Sequence, residues 1–584
     1  MNHVSFYRKG YPRPQMVREN WVDLNGIWAF RFDEKNNGKQ IGLQKGFDGG
    51  LQIIVPFSYQ TKASGVFDGR QCDCIWYSRK FNFESCGKRF ILHFDGADYL
   101  TEVYVNGYFT GVHEGAYTRF SFDVTDFCKD GENVLTVRCE DTLSMEQPRG
   151  KQRWRKENFA CWYEETCGLW KSVWGEYVTE EHILRLTSTF GADEQSVDIC
   201  GECSHGDFDL CIRIKQEDEI VSECTYKISG GSFSVNQKIL SDVPEPSGIR
   251  YWYPYSPFLY ETEIELLQNG ETKDRVQSYF AAVSFRISEG TVVLNKSHFY
   301  PRMILNQGYY TDSGITPKND DDIMKDLALL SALGFNGARI HEKIEDERFY
   351  YYCDVMGIVV WTEMPSFYRY GQYAAAKGIK EWCDIILQYK SHPSIMAWVA
   401  CNESWGVNNI ANDKAQQAYV KAMTEIVKAL DPYRFAIGND GWENVTGDFI
   451  TVHHYAETGK KLFENMTAIT DFSGKTSEYA LPRTIEAGDI RLCEKPVLLT
   501  EFGGIAFDNL TQSGWGYGKT ETDEESFLER LEGIMRAVYG LKNVKGFCYT
   551  QLTDVQQEIN GLLTDQREPK ADTEAIAKLV RGKF

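Results

Sequence analysis

The chain has 584 residues, of which 42% are hydrophobic and 25% are charged, as is ordinary for a soluble globular protein. At the usual domain size this length predicts roughly three to five domains. Basic residues number 63 and acidic residues 84, which gives a formal net charge of −21. Phosphate backbones and anionic bilayers repel such a chain, so we expect neither nucleic acid nor a membrane surface as a partner.

The N-terminal segment lacks the apolar stretch of a secretory signal, and no apolar run is long enough to suggest a transmembrane helix. The 16 cysteines are scattered rather than clustered in a short chain. These features predict a cytoplasmic protein whose cysteines are mostly buried, reduced thiols.

Residues 1–178 are rich in short segments of alternating polarity. Ile91–Ala97 and Leu100–Val105 are strand candidates, and Asn106-Gly107 after the second is a strong hairpin signal, because both positions tolerate a positive φ. The pattern predicts a jelly-roll β-sandwich.

Residues 179–288 form a second strand-rich block. Phe208–Ile214 and Tyr260–Leu267 alternate cleanly, and Asn269-Gly270 supplies a turn. A block of this length and pattern predicts an immunoglobulin-like sandwich.

In residues 289–584, short apolar strands alternate with helical stretches, which predicts βα units around a parallel sheet. Eight strands are predicted: Met303–Asn306, Gly337–Ile340, Ile358–Trp361, Ile395–Ala400, Phe435–Gly438, Phe449–His453, Pro496–Thr500 and Gly546–Gln551. Helices are predicted between several of them, including Asp320–Leu333 and Gln416–Leu430. This count favours a TIM (β/α)8 barrel over a doubly wound sheet, because no Gly-x-Gly-x-x-Gly turn follows a first strand.

Two carboxylates directly follow apolar strands of the predicted barrel, at the strand ends where catalytic groups of this fold lie. Glu403 follows the fourth strand and Glu501 the seventh. Desolvation raises a carboxyl pKa, and two close carboxyls push their pKa values apart, so one stays protonated while the other is ionised. Cleavage of a glycosidic bond needs such a pair. A capping or ion-pair role is the alternative for a single Glu, and the second Glu and Asn402 weaken it.

Other polar and aromatic side chains at or just past strand ends are candidate sugar contacts, each with a core or bracing role as its alternative. They are Arg339, His341, Trp361, Trp405, His454, Tyr455 and Gln551. For Arg339, bracing of the catalytic carboxylates is the preferred interpretation. His453 and His454 point to opposite faces of a strand, so we predict no metal site there. Glu164 and Glu165 in the first domain are predicted to reach toward the barrel mouth.

Six segments, in order, carry a resemblance to one enzyme family: Tyr11–Gln15, Trp21–Trp28, Phe94–Gly107, Gly168–Trp174, Trp252–Tyr260 and His392–Glu403. Over nearly its whole length the chain resembles glycoside hydrolase family 2, the β-galactosidase/β-glucuronidase family. The resemblance implies that Glu403 is the general acid/base, that Glu501 is the nucleophile, and that Asn402 hydrogen-bonds the sugar 2-hydroxyl. It also implies retention of configuration, carboxyl groups about 5–5.5 Å apart, and chemistry without a cofactor.

The substrate prediction depends on one departure from the family pattern. Family β-glucuronidases grip the sugar carboxylate with an Asn-x-Lys pair after the eighth strand, and the matching segment Gln556–Leu562 has no lysine. A buried carboxylate requires a cationic partner. We therefore predict a retaining exo-β-glycosidase of the β-galactosidase type, acting on terminal non-reducing β-D-glycosides.

Two alternatives remain open. The first is a β-hexuronidase, acting on β-glucuronides or β-galacturonides, that binds the carboxylate through Arg339 and Lys343. The second is a catalytically inactive carbohydrate-binding protein. The expected partner is a carbohydrate or glycoconjugate, and a homo-oligomer is compatible with the sequence, which does not determine the oligomeric state.

Overall fold

Two β-sandwiches precede a parallel barrel along the chain, as the strand pattern predicts. The computed structural model describes residues 3–240, 248–470, 483–488, 490–507 and 514–584. Among these residues, no helix is both long enough and apolar enough to cross a bilayer.

The first sandwich consists of two facing antiparallel sheets with strand orders β1-β12-β5-β9 and β3-β2-β4-β10-β7-β8. Its strands are β1 Trp21–Asp23, β2 Gly26–Phe32, β3 Leu51–Val55, β4 Cys74–Phe83, β5 Arg89–Phe94, β6 Ala97–Asp98, β7 Leu100–Val105, β8 Tyr108–Glu114, β9 Phe120–Asp123, β10 Gly131–Glu140, β11 Gly168–Leu169 and β12 Val173–Val178. The predicted hairpin turn is confirmed, because Asn106 and Gly107 join β7 to β8 with φ of 53° and 82°. Alternate residues of both sheets, including Phe30, Tyr77 and Phe94, form the apolar core between them.

The second sandwich pairs a three-stranded sheet, β13-β14-β17, with a four-stranded sheet, β16-β15-β18-β19. Its strands are β13 Ile183–Phe190, β14 Ser196–Cys203, β15 Asp207–Gln216, β16 Glu219–Ser229, β17 Ser232–Lys238, β18 Tyr260–Gln268 and β19 Glu271–Phe280. Asn269 and Gly270 again form a two-residue turn with positive φ. Three short strands then lead into the barrel: β20 Phe285–Ser288, β21 Thr291–Leu294 and β22 Ser297–His298.

The third module is the predicted barrel, and each of the eight predicted strands coincides with an observed one. Its elements are β23 Arg302–Asn306, α1 Asp320–Ala332, β24 Gly337–Ile340, α2 Glu347–Met356, β25 Val359–Glu363, α3 Gln372–Tyr389, β26 Ile395–Asn402, α4 Lys414–Leu430, β27 Phe435–Asp440, β28 Ile450–His453, α5 Gly459–Thr470, β29 Val497–Glu501, β30 Ile505–Phe507, β31 Tyr517–Glu521, α6 Glu524–Gly540, β32 Val544–Tyr549 and α7 Thr573–Val580.

The barrel strands form one parallel ladder in the order β27-β26-β25-β24-β23-β32-β29-β28. The His453 amide donates to the Gly441 carbonyl at 3.0 Å, which links the two ends of this ladder. Because every strand is parallel, all eight carboxyl ends lie on one rim. The connection between β29 and α6 at that rim contains a further pair of strands, β30 and β31.

The first sandwich packs directly on this rim. A long connection between β10 and β11 contacts the barrel, where the Arg149 and Gly150 amides both donate to the Ser366 carbonyl, at 2.9 and 3.1 Å. The barrel's apolar core continues into the sandwich through Tyr117 and Trp170. The rim is therefore partly walled by the first domain.

Candidate active site

Six polar side chains, each from the last or the last but one residue of a barrel strand, converge on the rim. They are Arg339 of β24, Glu363 of β25, Asn402 of β26, Asp440 of β27, His453 of β28 and Glu501 of β29. Glu403 follows β26 directly. The nearest carboxylate oxygens of Glu403 and Glu501 lie within 4.8 Å of each other, and each is also within 4.8 Å of a His453 ring nitrogen.

Glu501 is the more enclosed of the two glutamates, with 7% of its side chain exposed. Its Oε1 lies 3.0 Å from Nη1 of Arg339, and its Oε2 accepts a hydrogen bond from the Tyr455 hydroxyl. Burial raises the pKa of Tyr455 well above its usual value, so this phenol stays a neutral donor. A cation therefore contacts one oxygen of Glu501 and a neutral donor bonds the other, an arrangement that stabilises negative charge on the carboxylate.

Glu403 is more accessible, with 19% of its side chain exposed. Glu403 and Ser404 have φ of 49° and 59°, a left-handed conformation that costs about 1–3 kcal/mol for each non-glycine residue. Hydrogen bonds from their two amides, to the Asp440 carbonyl and to Asn439 Oδ1, hold this turn at 2.9 Å each. The turn aims the Glu403 carboxyl toward Glu501 and His453, into the space above the strand ends that we call the pocket.

His453 lies between the two glutamates. Its Nδ1 is 2.8 Å from Glu403 Oε1 and 3.5 Å from Glu501 Oε2, while its Nε2 is 3.6 Å from Asp440 Oδ1. Burial lowers the pKa of this imidazole, but the surrounding carboxylates, Glu501 foremost, outweigh burial and raise it to about 10. His453 is therefore a cation at neutral pH that both glutamates share.

Arg339 is fully buried beneath the pair and braces it. Its guanidinium lies 2.7 Å from Glu363 Oε2 and 3.0 Å from Asp440 Oδ2, and it donates to Asn402 Oδ1 at 2.8 Å. Burial raises the pKa of Glu363 to about 7, whereas the Arg339 charge overcomes burial and lowers the pKa of Asp440. The geometry agrees with the preferred bracing interpretation of Arg339.

Asn402 is 1% exposed, and both the oxygen and the nitrogen of its side-chain amide have partners. Its oxygen accepts from Arg339, and its Nδ2 donates to Glu342 Oε1 at 3.3 Å. Glu342 also accepts from the Tyr368 hydroxyl at 3.0 Å, and burial raises its pKa to about 7. Asn402 is thus held in a fixed orientation beside Glu403.

Among the described residues, two groups of side chains have ligand atoms close enough for a metal ion: His341 with Glu342 and Glu363, and Glu403 with His453 and Glu501. Burial first, then the charges of Lys151 and Arg339, lower the pKa of His341 well below its usual value, so this ring is neutral. Arg339 already forms ion pairs with Glu363 and Glu501. The absence of a metal and of any cofactor stays a prediction.

The structure corrects two of the predicted sugar contacts. Trp361 is 0% exposed and lies in the apolar interior of the barrel, one inward-facing layer below Glu363. The His454 ring faces α5, where its Nε2 lies 2.9 Å from Asn465 Nδ2. Because neighbouring strand residues point to opposite faces, His453 occupies the pocket instead.

The other predicted contacts lie around the pocket. Tyr455 reaches Glu501, and His341 Nδ1 lies 4.0 Å from Glu501 Oε1. Trp405 packs edge-on against Trp162 of the first domain, with ring centroids 5.0 Å apart. Gln551 is fully buried and donates to Glu558 and Asn560, at 3.1 and 2.6 Å, so it supports the pocket wall.

Arg339 and Lys343, the two cations that the β-hexuronidase alternative requires, do not both face the pocket. Lys343 is 3% exposed, forms an ion pair with Glu345 Oε1 at 2.6 Å and donates to the Gly308 carbonyl at 2.9 Å. Arg339 is committed to the acidic groups named above. Neither cation is available for a sugar carboxylate, which corrects that part of the prediction.

The first domain contributes one loop, residues 149–165, to the rim. Glu164 donates through its amide to Gln556 Oε1 at 3.1 Å, and burial raises the pKa of its carboxyl to about 7. Glu165 is paired with Arg153. Lys151, from the same loop, is 7% exposed, and its charge interacts with Cys161 and with three carboxyls at the rim, Glu342, Glu558 and Glu403.

Sequence reasoning left four groups out of the site: Glu363, Asp440, His453 and Lys151. The first three each end a barrel strand, so a strict application of the strand-end rule would have found them. Lys151 is distant in sequence from the barrel, and no local pattern marks it.

Three family models match the chain in succession. Residues 22–147 match the sugar binding domain of glycosyl hydrolases family 2, residues 181–281 match a second family 2 model, and residues 286–581 match the family 2 TIM barrel domain. The chain belongs to glycosyl hydrolases family 2.

Curated relatives of this family member carry two activities in their names. A β-galactosidase from Thermoanaerobacter pseudethanolicus is 26% identical over 438 residues, which cover 70% of this chain and 53% of that protein. A β-glucuronidase from Paenibacillus borealis is 23% identical over 627 residues, 98% of each chain. The chain thus spans about half the length of the first relative and nearly all of the second.

A solved structure with the same architecture is that of a Bifidobacterium dentium β-glucuronidase complexed with coumarin-3-O-glucuronide. It aligns with a TM-score of 0.80 at 20% identity and covers 98% of both chains. At this identity the likeness establishes the fold alone.

Proposed function

We propose that the protein is a retaining exo-β-glycosidase that releases a terminal β-linked hexuronic acid. The observation that carries the proposal is the spacing of Glu403 and Glu501, whose nearest oxygens lie within 4.8 Å. Retaining enzymes hold their two carboxyls about 5–5.5 Å apart, whereas inverting enzymes need about 6.5–9.5 Å to fit a water. The short spacing favours direct attack by a carboxylate.

In the first step, Glu501 is the nucleophile. Arg339 and Tyr455 contact its two carboxylate oxygens and hold them in place, so that one oxygen attacks C1 as the bond from C1 to the leaving oxygen breaks. Glu403, more accessible and on the opposite side of the bond, gives its proton to that leaving oxygen. The products are the free aglycone and a glycosyl ester on Glu501.

In the second step, Glu403 acts as a base. It takes a proton from water, which attacks C1 while the ester bond to Glu501 breaks, so the sugar leaves with its original β configuration and Glu403 is protonated again. The His453 cation between the carboxyls compensates the negative charge that moves between them in the two steps.

The exo mode is supported by the first-domain loop over the rim. Trp162 of that loop packs against Trp405, and Gln557 donates to the Ala160 carbonyl at 2.9 Å. These contacts wall the pocket on one side, which suits a terminal sugar better than an extended chain.

The hexuronide is favoured over the β-galactoside by the comparisons. The β-glucuronidase relative covers 98% of both chains, whereas 53% of the β-galactosidase relative is matched. The missing lysine at Gln556–Leu562 argued for a neutral sugar, but that argument requires that no other cation reach the pocket.

A panel of p-nitrophenyl glycosides tests the proposal. We expect hydrolysis of the β-glucuronide or β-galacturonide with a kcat/KM at least about tenfold above that of the β-galactoside and β-glucoside. Preference for a neutral glycoside would overturn the substrate assignment. Sugar binding without turnover of any β-glycoside would favour the carbohydrate-binding alternative.

A further inference from the structure

The carboxylate of a hexuronide must be paired with a cation, and among the described residues most cations at the rim already have partners. Arg339 contacts Glu363, Asp440 and Glu501, and Lys343 contacts Glu345. In the first-domain loop, Arg149 and Arg153 are paired with Asp141 and Glu165. Arg155 and Lys156 of the same loop are exposed to solvent, so among the described residues of this loop Lys151 is the buried cation without an ion pair.

Lys151 is only 7% exposed. No carboxylate oxygen of the described residues lies within 4.0 Å of its ammonium nitrogen. The ammonium lies 5.6 Å from the centroid of the Trp162 ring, and its charge acts on the neighbouring Cys161 thiol. Its charge is balanced by the surrounding groups at longer range, without a contact ion pair, and a ligand carboxylate would supply that close partner.

Ring contacts place Lys151 near the catalytic pair. Its ammonium lies 5.6 Å from the Trp162 ring, and Trp162 packs against Trp405, two residues after Glu403, with ring centroids 5.0 Å apart. In agreement with this position, its charge acts on Glu403, the candidate acid/base, and on His341, whose Nδ1 is 4.0 Å from Glu501 Oε1. The lysine therefore borders the pocket that would hold the ring of the terminal sugar. Glu558, in the segment after the eighth strand that has no lysine, also interacts with the Lys151 charge.

The backbone around Lys151 is fixed on the barrel. The Gly150 amide donates to the Ser366 carbonyl at 3.1 Å, and the Lys151 carbonyl accepts from the Tyr163 amide at 2.9 Å. Gly150 has a φ of +58°, and a Cβ at this position would lie 2.0 Å from the Glu342 carbonyl oxygen. The loop thus touches the barrel backbone, which keeps the lysine stem at a defined place.

The charge balance near Lys151 suits an anionic ligand below neutral pH. Burial raises the pKa of Glu342 to about 7 and also raises that of Glu558, so both carboxyls become neutral as the pH falls. Although burial opposes it, the pKa of Lys151 is raised above its usual value by the surrounding groups, Cys161 first, and the ammonium stays charged. The protonated carboxyls would then be hydrogen-bond donors rather than competing anions.

We propose that Lys151, contributed by the first domain, binds the carboxylate of the hexuronide substrate in place of a lysine from the barrel. This inference rests on the proposed function, and it makes the N-terminal sandwich part of the specificity pocket. A sugar carboxylate held there would complete the ion pair that Lys151 lacks in the described chain.

The test compares Lys151→Met, which keeps the length of the stem but removes the charge, with Lys156→Met, which removes the charge of an exposed lysine of the same loop. We expect Lys151→Met to lower the ratio of kcat/KM for p-nitrophenyl β-glucuronide or β-galacturonide to that for the matching neutral glycoside by about 100-fold. Lys151→Arg should restore part of that ratio, and Lys156→Met should leave it at the wild-type value.

Inhibition by the free sugars gives a readout that needs no turnover of a neutral glycoside. Free glucuronate or galacturonate should inhibit Lys151→Met about 100-fold more weakly than the wild type, while inhibition by glucose or galactose should change far less. Equal losses for charged and neutral sugars would mean a structural role and would overturn the inference.

The two proposals fail in different ways. If the wild-type enzyme prefers neutral glycosides, the proposed substrate is wrong and the role of Lys151 falls with it. If the wild type prefers hexuronides and Lys151→Met keeps that preference, the proposed function stands and the inference about Lys151 alone is wrong.

Discussion

The two regions that build the pocket differ in how they hold their charges. On the barrel rim, Arg339, Asp440 and His453 form a closed network in which each charge has an opposite partner within about 4 Å. In the first-domain loop, Lys151 is buried without a carboxylate at that distance. A closed network suits a catalytic centre that must keep one geometry, whereas a buried charge without a contact ion pair suits recognition of a ligand that supplies the close partner.

The comparison predicts that changes on the rim affect the reaction on every substrate, while changes in the loop affect the choice of substrate. Glu501→Gln removes the nucleophile and should have the largest effect, lowering kcat by about 10⁵-fold on charged and neutral glycosides alike. Steady-state assays measure this loss, and circular dichroism should show an intact fold. Labelling of a residue other than Glu501 by a 2-fluoro glycoside would contradict its assignment.

Glu403→Ala should have the next largest effect, and its size should depend on the leaving group. Loss of the general acid should cost about 10³-fold on a glycoside with a poor leaving group and far less on an activated aryl glycoside. Azide, which needs no general base, should restore turnover of the activated substrate and yield a β-glycosyl azide. A uniform loss without azide rescue would exclude Glu403 as the acid/base.

His453→Gln should lower kcat by about 100-fold, because the cation that both glutamates share is lost while a hydrogen-bond donor remains. The variant also tests the charge state. The His453 pKa rises from 6.5 to about 10 on folding, so its protonation stabilises the fold fully below pH 6.5, and this contribution is lost as the pH rises toward 10. Over that range the wild type should lose more thermal stability than the variant, and equal losses would contradict a cationic His453.

Gly150→Ala should have the smallest effect on catalysis, because it displaces the loop and leaves the rim intact. The added Cβ would meet the Glu342 carbonyl oxygen at 2.0 Å, so the loop must shift, and the hexuronide kcat/KM should fall by about tenfold. Gly131→Ala is the matched control, since Gly131 also has a positive φ, of +91°, but nothing within 4 Å of its Cβ. Equal kinetics in the two variants would show that the loop contact does not position Lys151.

The strand pattern was enough to predict the three-module architecture and all eight barrel strands. In a parallel barrel each strand is buried on both faces, so its apolar run stands out, and the polar residue at its end marks the rim. The same rule placed Glu403, Glu501, Asn402 and Arg339 together without any tertiary information.

Side-chain direction and cross-domain contacts were less predictable. Trp361 ends the predicted third strand, but the observed β25 continues to Glu363, which places Trp361 one layer deeper. His454 follows β28 directly, and the face to which its ring points depends on strand twist and register, which the sequence does not specify. Lys151 lies within the long β10–β11 connection of the first domain, and the docking of Arg149 and Gly150 on the barrel brings it to the pocket. The ion pair between Lys343 and Glu345, two residues apart, also depends on the burial of both side chains, which the sequence pattern does not predict.

The anomeric form of the first product tests the central claim most directly. Proton NMR at early times of hydrolysis of an aryl β-glycoside that the enzyme turns over should show the β-anomer appearing first, with the α-anomer arising later by mutarotation. That result is expected if Glu501 attacks C1 directly across a gap in which the nearest oxygens of Glu403 and Glu501 are within 4.8 Å. Initial release of the α-anomer would mean that a water attacks instead, and it would contradict the account.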